Sequence, residues 1–174
     1  GTYICLDEAT RTSRVVVGSD EGRIELDLAD FRSRTLEDDL AKRDFTINAM
    51  AVALEDWLAD PKRWMVKLID PLQGRRDLAE RRLRACFPET FVDDPVRILR
   101  AFRFAVELSV TLEPSLTALM ASASSGLSRI AGERLREELF AILHTDRASW
   151  ALSQLNEVGA LDVLFPELVP GRGI

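Results

Sequence analysis

Histidine and cysteine are almost missing from these 174 residues, which hold one of the former and two of the latter. Cys5 and Cys86 lie far apart with no ligand-type spacing around them, so they read as buried, reduced thiols and carry no assigned chemistry. His144 stands alone beside Thr145 and Asp146 at a predicted helix end, a place for dipole stabilisation and not for acid–base work. No apolar run approaches the roughly 18 residues that cross a bilayer, and no charged-then-apolar leader opens the chain. A cytoplasmic protein without membrane contact is expected. Internal repeats and low-complexity tracts are absent too. The chain opens Gly1-Thr2-Tyr3-Ile4 and stops at Pro170-Gly171-Arg172-Gly173-Ile174, so both ends read as cut from something longer.

A surplus of positive charge is also missing. The net charge of −6 argues against a general nucleic-acid-coating surface and leaves any RNA contact to local basic patches. The imbalance is uneven: residues 1–60 carry 7 Lys and Arg against 14 Asp and Glu, and the remainder 16 against 15. What is present is a chain 47% hydrophobic and 30% charged, enough for one ordinary core or two small ones sharing an interface.

The first third reads as a β-meander: strands over 2–6, 14–17 and 23–28, the last two joined by a Gly18-Ser19-Asp20-Glu21-Gly22 turn. Alternation in the third strand puts Ile24, Leu26 and Leu28 toward a core and Arg23, Glu25 and Asp27 away from it. A helix is expected over 36–42, a further strand over 65–69 closed by Asp70-Pro71, and a possible short strand near 83–86. The rest reads as helices over 74–82, 95–108, 114–122, 133–143 and 148–158. The expected fold class is α+β, a strand-rich head over 1–86 followed by an all-helical arm over 87–174. Trp57, Trp64 and Trp150 read as packing residues, and the Arg75-Arg76 and Arg81-Arg82 pairs as solvated helix charges.

Two segments can carry chemistry. Asp94-Pro95 reads as a helix start, with Asp as N-cap and Pro in the first turn. Asp94, Arg97, Arg100 and Arg103 then form an i, i+3 ridge, while Ile98, Phe102, Ala105 and Val106 centre on the core side. An amphipathic helix with a solvated arginine face accounts for this pattern. So does recognition of a base. Cytosine and adenine present an amino donor beside a ring-nitrogen acceptor, which a carboxylate beside a guanidinium complements. Guanine and uracil present the opposite pattern and leave buried groups unpaired. The second segment, Lys42-Arg43-Asp44-Phe45, is either a helix-end charge cluster or a sugar and phosphate contact. In the latter, Arg43 takes a triphosphate or ribose oxygen and Asp44 accepts from a 2′-hydroxyl.

The order of blocks resembles the bacterial-type tRNA CCA-adding and poly(A) polymerase family. The blocks are residues 36–51, ending Lys42-Arg43-Asp44-Phe45-Thr46-Ile47-Asn48-Ala49-Met50-Ala51; Ile69-Asp70-Pro71 with Gly74 and Asp77-Leu78; Asp93-Asp94-Pro95-Val96-Arg97-Ile98-Leu99-Arg100-Ala101; Gly132-Glu133-Arg134-Leu135-Arg136-Glu137-Glu138-Leu139; and Leu164-Phe165-Pro166-Glu167-Leu168. The resemblance covers nearly the whole chain from about Gly22 onward. It implies an incomplete, palm-like nucleotidyltransferase head and a helical neck leading into a body domain. It also implies that Arg43 and Asp44 hold sugar and phosphates, that Asp94 and Arg97 select ATP and CTP, and that Arg100 and Arg103 support the triphosphate side. Asp27 is implied as an auxiliary carboxylate near the metals, with Glu25 as its rival and a plain surface acid also open.

The chain departs from the family pattern at Lys42, Asp93, Gln73 and Gly132, where Arg, Glu, Gly and a capping Ser or Thr are usual. The larger departure is that no Gly-rich turn followed by Asp-x-Asp, the family's Mg²⁺-binding segment, occurs in these residues. The implied activity is template-independent addition of CMP and AMP to the 3′ end of tRNA or another RNA, with Mg²⁺ held by carboxylates upstream. This fragment is expected to be inactive alone. Poly(A) addition, partial CC or A addition, and a non-catalytic RNA-binding or helical interaction module are the alternatives. The sequence is silent on oligomeric state.

Overall fold

The computed structural model describes residues 1–8, 11–19 and 22–171. Asp20 and Glu21 of the expected turn, and Arg172 to Ile174 at the end, lie outside the described residues. The chain divides into two compact units, Gly1–Asp39 and Leu40–Ile174.

The first unit is an antiparallel meander in the order β1 (Thr2–Asp7), β2 (Thr12–Ser19), β3 (Gly22–Leu28). Register places Val15 opposite both Tyr3 and Leu26, and Arg14 opposite both Ile4 and Asp27. Along β3 apolar and charged residues alternate as expected, but across the sheet the charged rows are mixed, Ile4 lying beside Arg14 and Val16 beside Glu25. The apolar row is not buried, however: Ile24, Leu26 and Leu28 are about half exposed. Three strands bury a face only under a second layer. Cys5 is likewise exposed, not buried. Helix α1 (Leu36–Ala41) begins where Thr35 Oγ1 accepts from Asp38 N at 3.1 Å, an N-cap reinforced by Glu37, Asp38 and Asp39 in the first turn.

The second unit runs from a 3₁₀ turn (Thr46–Asn48) through α2 (Leu54–Ala59), a 3₁₀ turn (Trp64–Lys67), α3 (Gly74–Ala79), β4 (Arg82–Leu83), α4 (Thr90–Asp93) and α5 (Arg97–Glu107). There follow β5 (Thr111–Leu112), α6 (Pro114–Ala123), a 3₁₀ segment (Ser124–Arg129), α7 (Gly132–Leu143), α8 (Ala148–Glu157), α9 (Ala160–Leu164) and a last 3₁₀ segment (Pro166–Gly171). Helix α5 is the spine. Ile98, Leu99, Ala101, Phe102, Ala105 and Val106 are buried, and the helix packs on α7 and α8. Phe104 of this helix meets Phe45, which also meets Phe91 of α4, with ring centroids 5.9 and 6.2 Å from Phe45.

Three expectations change. The strand over 65–69 is a 3₁₀ turn, because Val66 N bonds back to Arg63 O; only Ile69 pairs, through a bridge to Ala51. The helical arm contains β5, which pairs in parallel with β4. Asp94 is the C-cap of α4 and lends no side-chain cap to α5, which begins at Arg97. Gln73, where the family has Gly, sits at φ 62°, the left-handed region that explains the usual glycine. Beside it, a Cβ on Gly74 would overlap the Thr46 carbonyl oxygen, so α3 packs on that turn only with glycine there.

Asp77 of α3 ties these segments together. It is fully buried, accepts from Thr46 Oγ1 at 2.6 Å, from Arg82 Nη2 at 2.6 Å and from Arg84 Nε at 3.1 Å. Burial pushes its pKa up, but the hydrogen bonds from Thr46, Arg82 and Arg84 outweigh that and hold the carboxyl below the ordinary carboxylate range. A depressed folded pKa contributes stability that is present above the unfolded value, about 3.9, and is lost as pH falls through the folded value. Asp77→Asn, which strands two arginines, is expected to cost about 3 kcal/mol in urea denaturation at pH 7. The loss should shrink as the pH is lowered below about 4.

Candidate nucleotide site

The polar face of α5 rises from the core in i, i+3 steps. Its partners come from α7, α4 and the turn after α1. Glu138 on α7 is buried and shares its carboxylate between two arginines of α5: Oε1 takes Arg100 Nε at 2.9 Å, and Oε2 takes Arg103 Nε at 2.7 Å. Arg100 reaches on with Nη1 to Asp44 Oδ2 at 3.0 Å. Lost hydration favours the neutral form of Arg100, but the bonds to Glu138 and Asp44 prevail and its pKa is raised. Arg103 also pairs with Glu107 at 2.9 Å and lies over the Phe104 ring.

Asp44 is buried, and Phe45 behind it anchors the loop in the aromatic cluster. Asp44 Oδ1 accepts from Phe45 N at 2.8 Å, and its carbonyl accepts from Cys86 N at 3.1 Å. An ionised carboxylate has about four acceptor positions, so the two bonds to Asp44's oxygens leave capacity for a hydroxyl donor. Arg43 beside it is exposed. Burial first, and the Asp44 charge second, push the Cys86 thiol up to about 12, so it stays a thiol at neutral pH.

At the other end of the ridge, Asp94 is held from α7. Arg134 Nη2 donates to Asp94 Oδ2 at 2.6 Å, while Arg97 Nε stands 4.0 Å from the same oxygen. Asp94 Oδ1 is shielded from solvent and has no hydrogen-bond partner among the described residues. Arg97 is turned toward α4, where Nη1 donates to Thr90 Oγ1 at 2.9 Å and to Thr90 O at 3.2 Å. Pro95 fixes the entry to α5 by packing on Gly126, where a Cβ would stand 2.6 Å from the proline ring. An acceptor without a donor therefore sits beside a cation with N–H groups to spare.

The structure thus places Asp44, Arg100 and Arg103 in one ion-pair chain through Glu138, and Asp94 and Arg97 in a second with Arg134, the two joined through the Thr90 hydroxyl, with Arg43 adjacent to Asp44 in sequence. Asp27 stands on β3 of the other unit, bound by Arg14 Nε and Nη2 at 2.6 and 2.8 Å; the bond from Arg14 lowers its pKa. Glu25, two residues away, takes Arg14 Nη1 at 2.9 Å. Among the described residues no group of three His, Cys, Asp or Glu is placed to hold a metal ion. No helix among them is long and apolar enough to cross a membrane. His144 caps the end of α7, with Nδ1 2.7 Å from Phe140 O, and Trp150 packs edge-on against Phe102. Sequence reasoning gave no site role to Thr90, Arg134 or Glu138. The last two lie four residues apart on one helix, and that spacing was the available signal.

Residues 7–84 match the model of the poly A polymerase head domain, and residues 109–171 that of the probable RNA- and SrmB-binding site of polymerase A. The CC-adding tRNA nucleotidyltransferase of Geobacter sulfurreducens is 38% identical over 165 residues, 95% of this chain and 36% of that protein. The A-adding tRNA nucleotidyltransferase of Deinococcus radiodurans is 40% identical over 144 residues, 80% of this chain and 31% of that protein. The solved structure of the Thermotoga maritima CCA-adding enzyme complexed with tRNA superposes with a TM-score of 0.77 at 35% identity, over 96% of this chain and 38% of that one. The chain spans about a third of the length of these relatives. On its order of blocks, its fold and these likenesses across both halves, the chain belongs to the tRNA nucleotidyltransferase and poly(A) polymerase family.

Proposed function

We propose that the protein carrying this chain adds CMP and AMP, from CTP and ATP, to the 3′ end of tRNA. The observation that carries the base choice is the buried Asp94 Oδ1, without a donor among the described residues and beside the Arg97 guanidinium. In this reading Oδ1 accepts from the exocyclic amino group of cytosine or adenine, and Arg97 donates to the adjacent ring nitrogen. A uracil or guanine would set a carbonyl against the carboxylate and an N–H against the guanidinium. Each mismatch costs about 1–3 kcal/mol in a desolvated site, a factor of about five to more than a hundred. Asp44 accepts from the ribose 2′-hydroxyl, Arg43 takes sugar or phosphate oxygens, and Arg100 and Arg103 support the triphosphate side after sharing Glu138. The division of the chain into a head over 1–86 and a neck over 87–174, and a cytoplasmic location, belong to the same proposal.

In the reaction, the RNA 3′-hydroxyl attacks the α-phosphate and pyrophosphate leaves. Mg²⁺, where bound, supplies charge stabilisation for that transfer. The described residues do not provide its donor set, and the candidates Asp27 and Glu25 are both engaged by Arg14, with Glu25 also paired to Arg23.

The similarity to both a CC-adding and an A-adding enzyme keeps the extent of addition within the proposal. Sequencing the products formed by the full-length protein on tRNA ending before CCA, and on tRNA ending in CC, distinguishes CC, A and complete CCA addition. Asp94→Ala and Arg97→Ala should each lower kcat/KM for CTP and ATP by at least about tenfold and compress the preference over UTP and GTP. Unaltered base preference in both variants would refute the assignment. Asp44→Ala should reduce the preference for CTP over its 2′-deoxy analogue by about tenfold, read from competition between the two in single-nucleotide addition.

A further inference from the structure

Thr90, the first residue of α4, is fully buried and lies between the two halves of the site. A threonine hydroxyl has one proton and two lone pairs. The Thr90 proton points to the Asp44 carbonyl at 3.4 Å, while Arg97 Nη1 donates to the hydroxyl at 2.9 Å and to the Thr90 carbonyl at 3.2 Å. Committing the proton to Asp44 leaves lone-pair density for the guanidinium. The Arg97 side chain is mostly buried and lies 5.8 Å from the Phe87 ring centroid, so the plane of the guanidinium is set by these contacts and not by water. The remaining amino group, Nη2, makes no hydrogen bond among the described residues.

We infer that Thr90 is a specificity-determining positioning residue, holding the Arg97 guanidinium so that its free N–H edge meets the ring nitrogen of an incoming cytosine or adenine. The inference rests on the proposed base-reading role of Asp94 and Arg97. It adds that base choice depends on a hydroxyl which touches neither base nor phosphate. Through its bond to the Asp44 carbonyl, the same hydroxyl joins the base-reading arginine to the sugar-binding loop.

Thr90→Val keeps the branched shape and removes the hydroxyl; Thr90→Ser keeps the hydroxyl. In the full-length protein, Thr90→Val should raise KM for CTP and ATP by about tenfold, with kcat within about twofold, because a hydrogen bond to a charged group is lost from ground and transition state alike. The CTP to UTP preference should fall in parallel. Thr90→Ser should restore both to within about threefold of the parent. Arg97→Ala, run alongside, separates the two claims. If it impairs selection while Thr90→Val does not, the role of Thr90 is overturned and the base-reading pair stands. If Thr90→Val and Thr90→Ser are equally impaired, the residue acts by packing and the inference is overturned as well. If Arg97→Ala leaves base preference intact, Arg97 does not read the base and the role of Thr90 falls with it.

Discussion

The site hangs on one buried carboxylate. Glu138 is buried, so a carboxylate there needs cations close by, and it has two that lie one turn apart on α5. A single ion pair would fix a distance between α7 and α5. Two pairs, to residues 100 and 103, also fix the rotation of α5 about its axis. That rotation decides where the remaining polar residues of the helix point. Arg100 extends the constraint to Asp44, so the turn after α1 is tied to α7 through three charged groups in series.

A second buried carboxylate, Asp77, does the corresponding work on the approach to the site, joining α3, β4 and the turn at Thr46. Neither hub is an efficient source of stability, since apolar side chains of similar volume often stabilise as well as a buried ionic network. An apolar replacement could not, however, leave N–H groups and carboxylate oxygens in fixed directions at the edge of a core. The aromatic cluster of Phe45, Phe91 and Phe104 lies among these connections. Phe45 anchors the residue next to Asp44, and Phe91 the residue next to Thr90. Apolar packing sets the backbone, and the ionic chains set the side chains.

This partition explains what could be read from the sequence. The helical ridge at 94, 97, 100 and 103 and its buried opposite face were legible because 3.6-residue periodicity is a local property. The meander was legible for the same reason, since alternation survives even where the apolar row lies half exposed, as at Ile24, Leu26 and Leu28. The run at 65–69 was misread because apolar residues in a short stretch do not distinguish a strand from a turn. Whether Met65 and Val66 pair depends on a partner strand, and local bonding to Arg63 won. The contacts that Thr90, Arg134 and Glu138 make with the site were not legible for a different reason. Their roles exist only through partners 7 to 46 residues away, and no local pattern marks a threonine that faces an arginine on the next helix.

The clearest departure from expectation also explains how the site can work. Had Asp94 capped α5 with its side chain, its acceptor capacity would have been spent on backbone N–H groups. Instead the backbone supplies the cap: Arg97 N bonds to Asp94 O at 3.1 Å and Ile98 N to Pro95 O at 3.0 Å. Pro95 adds no donor of its own to satisfy, and its ring is seated against Gly126, so the tight entry holds without help from a carboxylate. Asp94 is then free to face away from the helix it introduces. One oxygen is steadied by Arg134, and the other is buried without a partner among the described residues. The proline that looks like a helix-start signal is thus what releases the aspartate from that duty.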